Sequence, residues 1–248
     1  GLADAVVSNS THDREAWVAR YGRIVEKRPG DQQGIFYASL VNTVRAEIPT
    51  NVRHIEAKAT GITTSVDRQT VTLSNGEEVR ARLVILANGL SLSLRDALKL
   101  GRETVSKCHS ISIGFNMKPL GLKAFPFQAL TYYSETPANR AALITMFPIG
   151  EAMRANLFVY RDMDDPWLKA FRTAPKETLL AMMPSLAGLA GDFAVDGFAQ
   201  IRPVDLYVST GHEQDGIVLV GDAFSTSCPA AGTGARKALN DVERLVNV

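Results

Sequence analysis

The residues best placed to do chemistry lie near the end of the chain. Asp222 follows an apolar run, Ile217 to Val220, that Gly221 closes. A run of that length and β-branched content reads as a buried strand of parallel type. A short polar loop leads to Pro229, then to Gly232-Thr233-Gly234 and an apparent helix from Ala235 to Val246. A helix N-terminus presents N–H groups without helical acceptors and about half a positive charge. A carboxylate at a strand end beside such a terminus suits a ligand with a polyhydroxyl chain and an electron-rich ring. The carboxylate accepts from hydroxyls, and the helix end faces the ring. Gly232 and Gly234 let the backbone approach a flat ligand with no Cβ between them. They do not make a dinucleotide fingerprint. Lys237 stands where its third glycine would be, and both glycines lie well past the strand end. On these residues alone, an ordinary strand–loop–helix unit is the alternative.

Other segments must position this turn. Residues 54 to 95 read as successive strands. Thr70 to Leu73 alternates, Ser74-Asn75-Gly76-Glu77 is a hairpin turn, and Leu83 to Ala87 reads as a buried strand. From Lys107 to Met117 the apolar residues Ile111, Ile113, Phe115 and Met117 alternate with Ser110, Ser112, Gly114 and Asn116, the pattern of a half-buried antiparallel strand. Residues 128–133, 141–147 and 152–160 are further strands, with a turn at Pro148-Ile149-Gly150-Glu151. Asp165-Pro166 starts a helix that carries Trp167, Leu168 and Phe171 on one side. A second helix runs from Pro175 to about Ala190, with a break at Pro184. A long strand, Phe193 to Val208, returns the chain to the Asp222 turn. Nearer the start, Ile35 to Arg45 reads as a helix after an extended entry.

The Gly221-Asp222-Ala223 turn, Pro229 and the Gly232-Thr233-Gly234 helix start resemble, in order and spacing, the GD motif of the FAD-dependent aromatic hydroxylases, the para-hydroxybenzoate hydroxylase-like flavoprotein monooxygenases. The resemblance covers about 25 residues here. It implies that Asp222 contacts the ribityl chain and that Gly221, Pro229, Gly232, Thr233 and Gly234 lie against the flavin. Phe224-Ser225 stands where many relatives carry a histidine, so any role of that histidine is absent. Asn88-Gly89-Leu90-Ser91-Leu92-Ser93-Leu94-Arg95 is similar to the family's second element, Asp-Gly-x-x-Ser-x-x-Arg. Gly89 and Arg95 match it, Asn88 replaces the Asp, and Leu92 replaces the Ser. The resemblance implies FAD contacts for Asn88, Gly89 and Arg95; a solvated Arg95 is the alternative. The family's opening strand–Gly-x-Gly-x-x-Gly–helix does not occur. We therefore expect a chain truncated at the front by on the order of 60 residues, enough for a βαβ start and its continuation.

Bulk properties agree with a globular enzyme piece. Apolar residues make up 46% and charged residues 21%, ordinary values for a packed core. A net charge of +1 gives no reason to expect nucleic acid or acidic membranes as partners. No apolar run approaches the ~18 residues of a membrane span, which with the absence of a signal peptide points to a cytoplasmic protein. Cys108 and Cys228 read as packed thiols of a reducing compartment. His12, His54, His109 and His212 have no metal-ligand spacing.

The expected architecture is α/β. Residues 1–100 and 204–248 form an incomplete Rossmann-like FAD-binding domain, and 101–203 an inserted antiparallel-sheet substrate domain. The resemblance implies a flavoprotein monooxygenase that uses NADPH or NADH and O2 on a small aromatic substrate. No acid–base pair stands out, because the cofactor carries the hard chemistry. Tyr132, Phe147 and Arg202 are the substrate-pocket candidates; for the first two the alternative is sheet packing, for Arg202 an ion pair. Other flavoproteins of the same fold, halogenases and isoprenoid reductases, are rival readings. So is a non-catalytic interaction module with a degenerate flavin site.

Overall fold

The computed structural model describes residues 1–247. Its strands are β1 (Thr11–His12), β2 (Glu15–Arg20), β3 (Arg23–Pro29), β4 (Gln33–Gly34), β5 (Ala59–Thr63), β6 (Gln69–Leu73), β7 (Glu78–Ala81), β8 (Val84–Leu86), β9 (Gly101–Pro119), β10 (Ala129–Tyr133), β11 (Ala141–Ile149), β12 (Ala152–Val159), β13 (Phe193–Thr210) and β14 (Ile217–Leu219). Its helices are α1 (Leu2–Ser8), α2 (Tyr37–Ala46), α3 (Pro166–Thr173), α4 (Pro175–Met182), α5 (Leu186–Ala190) and α6 (Gly234–Val246). The chain is a mixed α/β protein of two compact units, Gly1–Val52 with Ser110–Pro203, and Arg53–His109 with Val204–Val248. The long strands β9 and β13 contribute residues to both. Residues 1–52, expected with the Rossmann-like part, group instead with the large sheet. The reason is pairing: β2 lies parallel to β10, and β3 continues the sheet outward from β2.

The first unit is built on a seven-stranded sheet, ordered β13-β9-β12-β11-β10-β2-β3. The alternation read in Lys107–Met117 decides how it packs. Ile111, Ile113, Phe115 and Met117 are all buried, and Val159, Leu157 and Ala155, the β12 partners of the first three, are buried too. On β11 and β10, Ile144, Met146, Leu130 and Tyr132 continue this face. The helices seal it. Asp165 caps α3 by accepting the Trp167 N–H at 2.8 Å, and Phe171 then lies 5.6 Å from the Phe115 ring. Pro184 separates α4 from α5, as expected, while Leu179, Met182, Met183 and Leu186 remain buried.

Tyr132 locks this layer. Its ring is 0% exposed, its hydroxyl donates to Glu135 at 2.6 Å, and it accepts the Gly22 N–H at 2.9 Å. Glu135 also accepts from the Ser185 N–H and hydroxyl, at 2.9 and 3.1 Å. Burial first, and the Glu135 contact second, push the phenol up to about 12. Tyr132, nominated as a substrate contact, is thus placed inside the sheet layer, the sheet packing that was its alternative.

The second unit holds the three-stranded antiparallel sheet β5-β6-β7 and the parallel pair β8–β14. Its core is Ile62, Leu86, Leu98, Leu100 and Ile217. The hairpin turn forms as read: Gly76 has φ 83°, and Asn75 Oδ1 accepts the Glu77 N–H at 3.0 Å. Leu83–Ala87 departs from expectation. Leu86 is buried, but Leu83 and Ile85 are exposed, because β8 has only β14 as a neighbour among the described residues.

Tyr132→Phe removes the partner of the Gly22 N–H and one of Glu135. We expect a loss of about 1–3 kcal/mol in denaturant unfolding at pH 7. The raised phenol favours the folded protein below its unfolded value of 10.0 and ceases to do so as pH rises to about 12. The variant should lack that alkaline slope; an unchanged slope would deny the network its role.

Candidate active site

Strand β14 ends at Leu219, and after Val220 comes a 3-10 turn, Gly221–Ala223. Gly221 has φ 61°, and a Cβ there would meet Ala238 Cβ of α6 at 3.3 Å. The turn therefore needs glycine for its backbone and for its approach to α6. Polar contacts fix that approach. The Gly221 N–H donates to Asp241 Oδ2 at 2.9 Å, and Lys237 Nζ donates to the Gly221 carbonyl at 2.9 Å. Lys237 and Asp241 pair with each other at 3.3 Å, one helical turn apart. The sequence reading missed this clamp, although the Lys–Asp spacing on α6 was its visible signal.

The far side of the turn is tied by Arg95, Tyr207 and Ser209. Arg95 is buried and donates to the Ala223 carbonyl at 3.4 Å, to the Gly101 carbonyl and to Ser209 Oγ at 3.0 Å. Ser209 Oγ donates to the same Ala223 carbonyl at 2.8 Å, and the Tyr207 hydroxyl to the Asp222 carbonyl. Burial, and secondarily Arg102, lower the affinity of Arg95 for its proton; burial pushes the Tyr207 phenol up. Arg95 was expected either at the cofactor or in solvent. It holds the backbone of the turn through the Ala223 carbonyl.

The carboxylate of Asp222 is half-buried and makes no hydrogen bond to the described residues, unlike its carbonyl. A 3-10 turn at Pro229–Ala231 follows, and then Gly232, with φ 65°. Helix α6 starts at Gly234 after Thr233, whose side chain makes no cap bond, so its first-turn N–H groups have no helical acceptor. Gly234 has an ordinary φ, and a Cβ on it would meet only Ser227 Oγ, at 3.7 Å. Neither backbone strain nor packing demands glycine there. Asn88 and Gly89 belong to the same unit. Asn88 Nδ2 donates to the Ser93 carbonyl at 3.3 Å and so closes its own loop, and Gly89 has φ 58° with open space beside it. Residues 88–95 form a chain of turns rather than a helix start.

In the sheet unit, Phe147 is half-buried on the face opposite Tyr132 and lines a cavity of about 360 Å³ with Asp13, Gln32, Gly34 and Pro148. Arg202 is exposed on β13, with no ion pair among the described residues. A second recess, about 620 Å³, is lined by Met117, Phe125, Phe127 and Met153 with Arg14 and Lys123. No sequence pattern points to it, since its walls come from strand ends and loops far apart in the chain.

Residues 38–248 match the family model described as FAD binding domain. The chain belongs to this family, that of the FAD-dependent aromatic hydroxylases. Over 190 residues it is 28% identical to the 3-demethoxyubiquinol 3-hydroxylase of Escherichia coli strain K12, a match covering 73% of this chain and 44% of that protein. Among solved structures, p-nitrophenol 4-monooxygenase PnpA from Pseudomonas putida DLL-E4 superposes with a TM-score of 0.69 at 14% identity, covering 98% of this chain and 64% of that one. The flavin-dependent brominase Bmp2 gives 0.70 at 14% identity, over 96% and 62%. These structures share the fold. The chain spans about half the length of the curated relative it matches.

Replacing Arg95 with Met removes the donors and keeps most of the volume. The Gly101 carbonyl loses its charged partner, so we expect about 1–3 kcal/mol less stability in urea unfolding. A change within ~0.5 kcal/mol, the range of surface substitutions, would show that the turn does not depend on this tie.

Proposed function

We propose that the full-length protein is an FAD-dependent monooxygenase that hydroxylates a small aromatic substrate with NADPH or NADH and O2. The observation that carries the reading is Gly234. A glycine that neither strain nor packing requires, at the exposed first turn of a helix with free N–H groups, leaves the backbone open to the close approach of a ring. A flat, electron-rich ring suits that approach, and the uncommitted carboxylate of Asp222 suits the hydroxyls of a ribityl chain. The residues present thus fit FAD.

Bound there, FAD supplies the redox and oxygen chemistry. The chain positions it. Asp222 accepts hydrogen bonds from the sugar-like hydroxyls, and the Gly221 clamp and Arg95 keep that carboxylate in place. The first-turn N–H groups of α6 stabilise negative charge that develops at the end of the ring facing them. Gly232 and Gly234 allow contact, and Pro229 fixes the chain as it enters the turn. Asn88 and Gly89 stand as further FAD contacts on the second loop. Phe147 offers an aromatic wall to a substrate, and Arg202 an exposed charge. No described helix is long and apolar enough to cross a membrane, in line with a cytoplasmic enzyme.

Two variants of the full-length protein test this. Asp222→Ala should weaken FAD binding by about 1.5–3 kcal/mol, the range for charge-assisted hydrogen bonds, while leaving thermal unfolding of the apo-protein nearly unchanged. Gly234→Val should weaken it more than Gly188→Val, a control at a glycine of ordinary φ with no atom within 4 Å of its Cβ position. Flavin titration of the apo-proteins measures both. Equal affinities throughout would remove the flavin from this turn, and bromide- or chloride-dependent halogenation by the wild type would replace hydroxylation.

A further inference from the structure

The helix-covered face of the large sheet continues past its helices. Alternation puts Met117 of β9, Met153 of β12 and Pro148 of β11 on that face, in line with Phe115, Ala155 and Met146. The recess of about 620 Å³ lies over these three residues, and no residue of α3, α4 or α5 lines it. The segment between β9 and β10 covers it instead. Phe125 and Phe127 of that segment are buried, with ring centroids 5.6 Å apart and planes 19° apart. Phe127 also lies 6.0 Å from the ring of Trp17, whose cross-strand partner is Leu130 of the same face. Phe147, the aromatic wall nominated for a substrate, stands on the opposite face. The volume falls within the range of ligand cavities, about 300–1,000 Å³.

The rim of the recess is charged. Arg14, Lys118 and Lys123 line it, and all three are exposed. Lys118 pairs with Asp196 at 3.0 Å, whereas Arg14 and Lys123 have no ion pair among the described residues. Two carboxylates line it as well. Glu15 accepts from the Trp17 indole N–H, and Glu151 is exposed in the turn between β11 and β12. Gln128 Oε1 accepts the Arg14 and Glu15 N–H groups at 2.8 and 3.2 Å. This ties the start of β2 to the entry of β10 and holds the Arg14 backbone at the rim. Two unpaired cations beside an apolar floor suit an anionic head on an apolar body. The two methionines of the floor, unbranched and with soft thioethers, adapt to an alkyl chain.

We propose that this recess is a second ligand site, which binds a medium-chain alkyl carboxylate with its chain against Met117, Met153, Phe125 and Phe127 and its head at Arg14 and Lys123. Removing the chain from water supplies the main driving force, and the two cations select the acid over a neutral head. Binding here requires no flavin and does not rest on the monooxygenase reading.

The test is calorimetric titration of the full-length protein with octanoate, octan-1-ol and acetate. Octanoate should bind roughly fivefold or more tighter than octan-1-ol, as for a charge-assisted contact, and acetate, which lacks the chain, should give no measurable binding. Joint replacement Arg14→Gln and Lys123→Gln should bring octanoate and octan-1-ol level. Lys169→Gln, which removes an exposed cation on α3, should leave the difference as it is. Met153→Glu, at a half-buried position of the floor, should weaken octanoate about tenfold or more by placing a like charge beside the chain. Circular dichroism melts confirm folding, and if Met153→Glu does not fold the double variant decides, since both its side chains are exposed. Octanoate that binds no tighter than octan-1-ol, a preference that survives the double variant, or octanoate binding unchanged in a folded Met153→Glu would overturn the site.

Discussion

The candidate site depends on one close approach, that of the Gly221 turn to helix α6. The turn sits 3.3 Å, measured from an added Cβ, beneath Ala238, and both its N–H and its carbonyl are taken by α6 side chains. This fixes where the helix begins relative to the strand that precedes it. Asp222 on this turn keeps an uncommitted carboxylate, and the first turn of α6 keeps N–H groups with no side-chain cap. Arg95, Tyr207 and Ser209 hold the other side of the turn by its carbonyls. The side chains that shape the site thus act on backbone and leave the ligand-facing groups free.

The sheet unit follows a related division of labour. One face is sealed by α3, α4 and α5 through Phe115, Phe171 and Tyr132, and the Tyr132–Glu135–Ser185 network is satisfied within the protein. The other face is polar, half-buried and incompletely satisfied, with a guanidinium lying over a glycine. Buried polar groups are normally paired.

The strands and helices from residue 69 onward were legible because their patterns are local: alternation in Lys107–Met117, Asn-Gly at the hairpin, Asp-Pro at α3, Pro184 between α4 and α5. The hairpin β2–β3 was not read, although Tyr21 and Gly22, both at positive φ, make its turn. Tyr at such a position is not a turn signal. The faces of Tyr132 and Phe147 were also beyond the sequence. Each strand shows its own alternation, but pairing alone decides that Tyr132 stands opposite Ile144 and so under the helices, while Phe147 stands opposite Arg154. Arg95 was recognised as special, but its burial and its contacts to two backbone carbonyls and Ser209 Oγ arise only from the fold. Asp222 and Gly234 could be nominated from the sequence because motif order and spacing are written along the chain.

The most direct measurement is a crystal structure of the full-length protein with FAD bound. The expected result places the pyrimidine edge of the flavin within hydrogen-bonding distance of the N–H groups at Thr233–Ala235, a ribityl hydroxyl on the Asp222 carboxylate, and the ring edge against Gly234 with no side chain between. A flavin bound elsewhere, with Asp222 and the start of α6 still facing solvent, would contradict the assignment of this turn as the cofactor site.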